Sequence, residues 1–394
     1  MRRTIPIAVL GMLGCLAQTQ AASAFDCNDF LNFSGDTAGT YKSFQQNPDA
    51  MAWNWFVCLN KPNPSKSSQV VWESFKPSDE VYLSNGGPPL PYNMPATVPI
   101  QVTQAAQGIP GMDPNGLFLN LGDDRDGSTN NGVQQVDGLA LHMGNKVPPA
   151  QNGQPVRFHL LMGEQTYDYI LKQKVYNRNG LSELTHELRF PDTAWELKTS
   201  WLWIGSDAAF KQQLIDQGYY IAQGYYIDKD NNYHTGFAGL SGMHVINRLT
   251  EGWVWTTFEN RHNPDYTVTN QPKPQPMTNS TGPTEAASKV NPQFQQQNPT
   301  LANYELIGVQ YNPDQPAPKL LANSQLESAF QDSSSCLACH NTAAYSPKSN
   351  RFFSFNLDQN GGILYPTTVL PESNFIGYQK LDYVWSLKRA QWKR

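Results

Sequence analysis

Charge is scarce in this chain of 394 residues: Asp, Glu, Lys and Arg make up 15% of it, against about 25% in ordinary soluble domains. With a net charge of -5, the broad cationic surface that holds phosphate backbones is missing, which speaks against nucleic acid as a partner. Long apolar runs are missing as well. Beyond the N-terminus no stretch approaches the ~20 residues needed to span a bilayer, so no transmembrane segment is expected in the mature chain. Cysteine is limited to five positions, and neither His nor Met occurs anywhere after His340. Aromatic residues, in contrast, reach 12%, with 29 Gly and 29 Pro, a composition of short strands, many turns and aromatic packing. At ~100 to 200 residues per domain, the length allows one large domain or two to three ordinary ones.

The N-terminus carries an export pattern. Arg2 and Arg3 precede an apolar stretch from Ile5 to Leu16, and Ala22-Ser23-Ala24 supplies the small residues of a cleavage site, so residues 1–24 are expected to leave as a signal peptide. A lipid anchor at Cys15 is the rival, from Leu13-Gly14-Cys15, but Met12 stands where a branched aliphatic is usual. The expected location is periplasmic or secreted.

Removal of Cys15 leaves two cysteine pairs with different work. Cys336-Leu337-Ala338-Cys339-His340 is the C-x-x-C-H pattern of covalent haem c attachment. Two thiols at that spacing add to the two vinyl groups of the macrocycle, and the following imidazole, His340, becomes the proximal iron ligand. A thioredoxin-like pair would need the motif between a strand and a helix, and Ser333-Ser334-Ser335 precedes it instead. A zinc site would want a second ligand pair nearby. Cys27 and Cys58 then have an oxidising compartment and only each other, which makes a disulfide the economical reading, with two free buried thiols as the alternative.

The expected fold class is α+β. Residues 25–262 read as an aromatic, β-rich body with short helices. Its strand-like stretches include 156–162, 167–175, 187–190, 195–204, 219–227, 237–249 and 252–259. The polar stretch 122–128 has the look of a calcium loop but lacks the first carboxylate and the closing Glu, so a solvated turn is expected. Residues 263–300, rich in Pro, Gln and Asn, read as a loop or linker. Residues 301–394 read as a mostly helical haem-attachment segment packed on the body. Lys388, Arg389, Lys393 and Arg394 fall on the last turns of its expected C-terminal helix, as a solvated cationic end.

The motif lies so late that a distal ligand, if it is His or Met, has to come from before it. His142, His159, His186, His234, His244, His262, Met143, Met162 and Met243 are the candidates. His244 stands out within Gly242-Met243-His244-Val245-Ile246, where flanking Gly permits close approach; an ordinary hydrogen-bonded core histidine is the other reading.

That run, followed by Trp253-Val254-Trp255-Thr256-Thr257-Phe258-Glu259-Asn260 and the later Ser334-Ser335-Cys336 with its motif, resembles an uncharacterised family of exported mono-haem bacterial cytochrome c proteins. Residues 195–201, 304–310 and 382–391 look like further blocks of it, with a weaker echo at 55–60. The resemblance implies one haem-binding architecture spanning both sides of the 263–300 stretch, and it favours His244 as the distal iron ligand. It carries no activity. Met243, where Leu is usual, and the Gln-rich insert are departures.

Three uses compete. The leading one is a mono-haem electron carrier with one covalent haem c, serving an unidentified redox protein. The second is a haem enzyme acting on a small oxidant, with Glu259 or one of the spare histidines as a proton-handling group. The third is a haem-based sensor or binding subunit. The size of the chain exceeds what a simple shuttle needs.

Overall fold

The computed structural model describes residues 27–125, 140–143, 147–149, 151–263, 266–269, 275–277, 282–315, 318–359 and 363–394. The signal-peptide reading of 1–24 lies outside them, as do 126–128 of the calcium-like stretch. The fold is α+β, and none of its described helices is long and apolar enough to cross a membrane.

The organising element is a sheet built from β1 (Lys76–Pro77), β2 (Leu119–Asp123), β3 (Arg157–Met162), β4 (Trp195–Gly205), β5 (Ile221–Ile227), β6 (Tyr233–Asn247), β7 (Val254–Asn260) and β8 (Tyr304–Gln310). Its order is β8-β7-β6-β4-β3-β1, with β5 also on β6 and β2 beside β5. All pairs are antiparallel except β2 with β5.

Side chains alternate across a strand, so the register sorts each into one of two faces. Leu161, Leu197, Met243, Val245, Val254, Phe258 and Leu306 point to one side, in a core with Trp53, Trp55 and Phe56. Leu160, Met162, Ile246 and Trp255 point to the other, in a core with Leu337, Tyr345, Leu381 and Leu387 of the C-terminal segment. Both faces are covered, which is why the central strands β3 and β7 are buried along their whole length.

The first face is covered by α1 (Cys27–Leu31), α2 (Pro48–Leu59) and α3 (Glu285–Gln297). In α2, Pro48 takes the first turn and the Asn47 side chain accepts from the Ala50 amide at 3.1 Å, a standard start for a helix. Phe56 stacks on Phe258 with centroids 4.1 Å apart, a contact worth ~0.5–1.5 kcal/mol beyond the area it buries.

Helix α3 corrects the linker expectation for 263–300. Thr284 caps it, accepting from the Ala287 amide at 3.2 Å. Its core face is narrow, carried by Ala287, Asn291 and Phe294. Phe294 stacks on Trp53 at 5.5 Å, and the Trp53 indole donates to Asn291 at 2.7 Å. Most of the other positions are polar and exposed, among them Glu285, Ser288, Lys289, Gln293, Gln296 and Gln297, which made the composition look like linker.

Two further expectations change. Residues 164–172 form a helix (Glu164–Lys172), since Thr166, Tyr167 and Ile170 lie on one buried face; aromatic content had mimicked a strand. The 301–394 segment is not mostly helical. It begins with β8 and continues through short strands and 3-10 turns, its one described α-helix being α4 (Cys336–Asn341). The expected C-terminal helix is interrupted at Asp382 and Tyr383, both with positive φ (51° and 69°), and only a turn at Trp385–Arg389 remains.

Cys27 and Cys58 form a disulfide joining α1 to α2, with Cα atoms 5.2 Å apart and a sequence separation of 31. Closing a loop of that size is worth ~3–4 kcal/mol in the chain-entropy picture. The double variant Cys27→Ser/Cys58→Ser is expected to lose about 3 kcal/mol in urea unfolding. A loss well under 1 kcal/mol would mean that aromatic packing of α1 on α2 already restrains the loop.

Candidate functional site

Between the second sheet face and the C-terminal segment lies a cavity of about 180 Å³. Its floor is the sheet: Phe158 and Leu160 from β3, Glu196 and Lys198 from β4, His244 and Ile246 from β6, Trp255 from β7. The register accounts for this set, because Leu160, Lys198 and His244 are successive cross-strand partners, as are Glu196, Ile246 and Trp255. Its roof comes from Glu327, Phe330, Trp385, Lys388 and Arg389, together with Cys336, Cys339 and His340 of the motif.

Helix α4 is anchored by a residue that carries no chemistry in the sequence. Gln310, the last residue of β8, accepts through Oε1 from the Leu337 amide at 3.2 Å and from the Ser335 hydroxyl at 3.4 Å. Its Nε2 donates to the carbonyls of Pro318 and Lys319. Ser335 caps the helix by accepting from the Ala338 amide at 3.3 Å. Cys336 and Cys339 thereby reach the cavity from one helical turn, and their thiols are free. Burial pushes the Cys339 thiol up to about 12 and Cys336 well above its ordinary value. These are neutral thiols, whereas an exchange catalyst requires a stabilised thiolate.

His340 Nδ1 lies 2.8 Å from the Tyr383 carbonyl. A carbonyl only accepts, so Nδ1 carries the proton and Nε2 is left with its lone pair. Burial, foremost, lowers the imidazole pKa to about 4, against the opposing pull of the Tyr383 carbonyl, so the ring is neutral. Tyr383 and its neighbour Asp382 sit in the left-handed region, where residues other than Gly and Asn are strained. The Asp382 carboxylate holds that turn, accepting from Arg248 at 2.6 Å and from the Phe190 amide at 2.7 Å. Trp255 packs on the His340 ring with centroids 4.0 Å apart, and the Trp385 indole donates to the Cys339 carbonyl at 3.2 Å.

His244 lies on the same cavity, within 3.0 Å of Glu327 through Nε2. The turn that brings Glu327 there depends on Gly242. A Cβ at this position would fall 2.9 Å from Ser200 Oγ and 3.0 Å from Asn323 Oδ1. Asn323 needs that space to donate to Thr257 Oγ1 and the Phe258 carbonyl at 2.8 and 2.9 Å. Its backbone amide then donates to Glu327 Oε2 at 2.8 Å. Burial alone would raise the Glu327 carboxyl, but the His244 and Lys198 charges, with the His244 and Asn323 hydrogen bonds, hold it below its ordinary range.

The other candidate ligands lie elsewhere. Met243 points to the opposite sheet face, Met143 belongs to a separate core, and Met162, His142, His159, His186, His234 and His262 do not line the cavity. Glu259 is also outside it, enclosed where the Ser324 amide donates to its carboxylate at 2.8 Å and the Ser324 hydroxyl at 2.5 Å. Lys388 and Arg389, read as a solvated end, are on the cavity wall, because the left-handed residues before them turn the chain back over the sheet. Glu196 and Lys198 escaped the sequence reading because an alternating strand was taken to have one wet face.

No family model, curated protein or solved structure matches the chain.

Glu259 predicts a pH dependence. Burial raises its carboxyl from 4.5 to about 7, against the Ser324 donors. A folded-state pKa above the unfolded one gives stability that is full below about 4.5 and is lost as pH rises towards 7. The unfolding free energy of Glu259→Gln should lack this component, so the difference between wild type and variant should change by a few kcal/mol between pH 4 and pH 8. A constant difference across that range would show that folding leaves the Glu259 pKa unshifted.

Proposed function

We propose that this chain is an exported mono-haem c-type cytochrome that transfers electrons to or from a redox partner protein. The observation that carries the reading is the C-x-x-C-H geometry. Two free thiols reach the cavity from one helical turn, beside an imidazole whose Nδ1 is committed to the Tyr383 carbonyl and whose Nε2 has no hydrogen-bond partner among the described residues.

That donor set fits haem c. Cys336 and Cys339 would carry the thioethers and His340 Nε2 the iron. When bound, haem supplies a one-electron iron couple. The chain's own residues do the rest. The Tyr383 carbonyl orients His340 and makes it a stronger donor, as second-shell acceptors do for metal-bound imidazoles. Phe158, Leu160, Ile246 and Trp255 keep water from one side and so favour the less charged form of a redox centre. His244 would serve as the distal ligand, being the other imidazole on the wall; ligation through Nε2 requires its contact with Glu327 to open. The strand blocks that resemble exported mono-haem cytochromes, in β4, β6, β7 and β8, also lie side by side in the sheet.

Co-expression with a cytochrome c maturation system should yield one haem per chain, recovered after digestion on the peptide containing Cys336 and Cys339. The Cys336→Ser/Cys339→Ser variant should carry none. Unmodified thiols in wild-type material matured this way would overturn the reading.

His244→Ala should keep the covalent haem and convert a six-coordinate low-spin spectrum into a high-spin one that binds carbon monoxide. A low-spin spectrum unchanged by the substitution would remove His244 from the iron. A high-spin spectrum already present in wild type would favour an enzyme of small oxidants or a sensor.

A further inference from the structure

Glu196 is the group on the cavity wall that the reading above leaves without work. It extends from β4 between Met162 and Ile246, its cross-strand neighbours, and is 4% exposed. The Ser386 hydroxyl donates to its Oε1 at 2.6 Å, and the Tyr82 hydroxyl lies 3.3 Å from Ser386 Oγ. A carboxyl buried in this way and facing a cavity is uncommon unless it is neutralised or used.

We propose that Glu196 takes up a proton when the haem of this site is reduced, so that the protein moves up to one proton with each electron wherever the carboxylate is ionised before reduction. The inference rests on the haem reading above. The balance is one electron from a one-electron donor protein and one proton from solvent. The Glu196 carboxylate becomes a carboxylic acid, and the proton returns to solvent on reoxidation.

The physical cause is the cost of adding negative charge to a cavity of low polarity, where charges interact far more strongly than in water. The nearest group able to change its charge near neutral pH responds. Several titratable or charged groups surround the cavity. From β4 itself comes Lys198, from β6 His244, from the turn before α4 Glu327, from α4 His340, and from the C-terminal turn Lys388 and Arg389. Met162 and Leu160 of β3 and Trp255 of β7 do not titrate. Lysine and arginine already carry their protons. His244 would be bound to iron, and Glu327 keeps the Lys198 charge and the Asn323 amide, both of which favour its carboxylate. His340 has Nδ1 on Tyr383 and Nε2 assigned to iron.

Glu196 differs from all of these. Burial raises its carboxyl from 4.5 to about 7, against the Ser386 hydrogen bond and the Arg389 charge. It therefore stands near half-protonation at neutral pH, where a change of charge nearby has its greatest effect.

Potentiometric titration of the haem-loaded protein tests this. From neutral pH upwards the wild-type midpoint should fall with pH, and the slope should approach about 59 mV per pH unit, the one-electron equivalent of a tenfold change in proton activity, where Glu196 is ionised in the oxidised protein. Glu196→Gln should keep the haem spectrum and lose the slope in that range; an unchanged slope would overturn the proposal and assign the proton to another group. Ser386→Ala provides a second variant that keeps the carboxyl. Without the hydroxyl donor the carboxylate is less stable, so the sloped region should move to higher pH, and an unmoved region would count against Glu196. In the reduced-minus-oxidised infrared difference, a protonated-carboxyl band present in wild type and lost in Glu196→Gln is the expected signature. The failures are distinguishable. Wild-type protein without covalent haem sinks the cytochrome reading, whereas covalent haem with a pH-independent potential sinks only this proposal.

Discussion

A sheet whose two faces are both apolar has to be covered twice, and most of this chain follows from that requirement. The strands β3, β4, β6 and β7 present Leu161, Leu197, Met243, Val245 and Phe258 to one side and Leu160, Ile246 and Trp255 to the other. Helices from the N-terminal region and from residues 285–297 cover the first side. The second is covered in part by the helix Glu164–Lys172 and by Val175, Leu181, Leu188 and Phe190, and otherwise by the segment after residue 321, which contains little regular structure and binds mainly through Leu337, Tyr345, Leu381, Val384 and Leu387. An irregular cover over a regular floor does not close everywhere, and the cavity is where it does not. The size of the chain follows from the same fact: the motif helix has six residues and depends on the whole sheet for one wall of its site.

The motif is positioned by three devices from three parts of the chain. Gln310 holds the start of α4 by its backbone. The Arg248–Asp382 ion pair, buried on the Arg side, holds a turn in the left-handed region. That turn presents the Tyr383 carbonyl to His340. Strain in consecutive non-glycine residues persists only where the surroundings over-determine it, and here one carboxylate takes donors from both Arg248 and the Phe190 amide. The imidazole tautomer is therefore a property of the tertiary structure, although the imidazole itself belongs to a local motif.

The cavity polarity is divided. Near the thiols, Lys198 and Glu327 carry opposite charges beside His244, and Glu327 is held in its ionised form. Towards Arg389 lies Glu196, whose partners are a hydroxyl and a single cation. The same residue type meets opposite electrostatics within one cavity because one carboxylate has two charges and a backbone donor close by, while burial dominates for the other.

From the sequence alone, Cys336, Cys339 and His340 could be named as a candidate site, since two thiols and an imidazole at that spacing point to a proposal within five residues; the structure places all three on one cavity. The pairing of Cys27 with Cys58 could be reached by elimination, and the β-rich character of 195–260 by alternation and aromatic content. Helix α3 was hidden because three inward residues among many Gln and Asn give no strong period. His244 could be named as a candidate but not separated from Met243 by composition; the strand register, in which adjacent residues face opposite sides, put one on the cavity and the other in the aromatic core. Gln310 and Glu327 had no local signal, Glu196 read as the wet side of an alternating strand, and Arg389 as part of a solvated cationic end. Their roles arise from contacts between residues far apart in the chain, such as Ser386 with Glu196 and Leu337 with Gln310. Short-range spacing determines which covalent chemistry the motif permits, whereas the charge, water and proton supply around it depend on which distant strands and turns fold against one another.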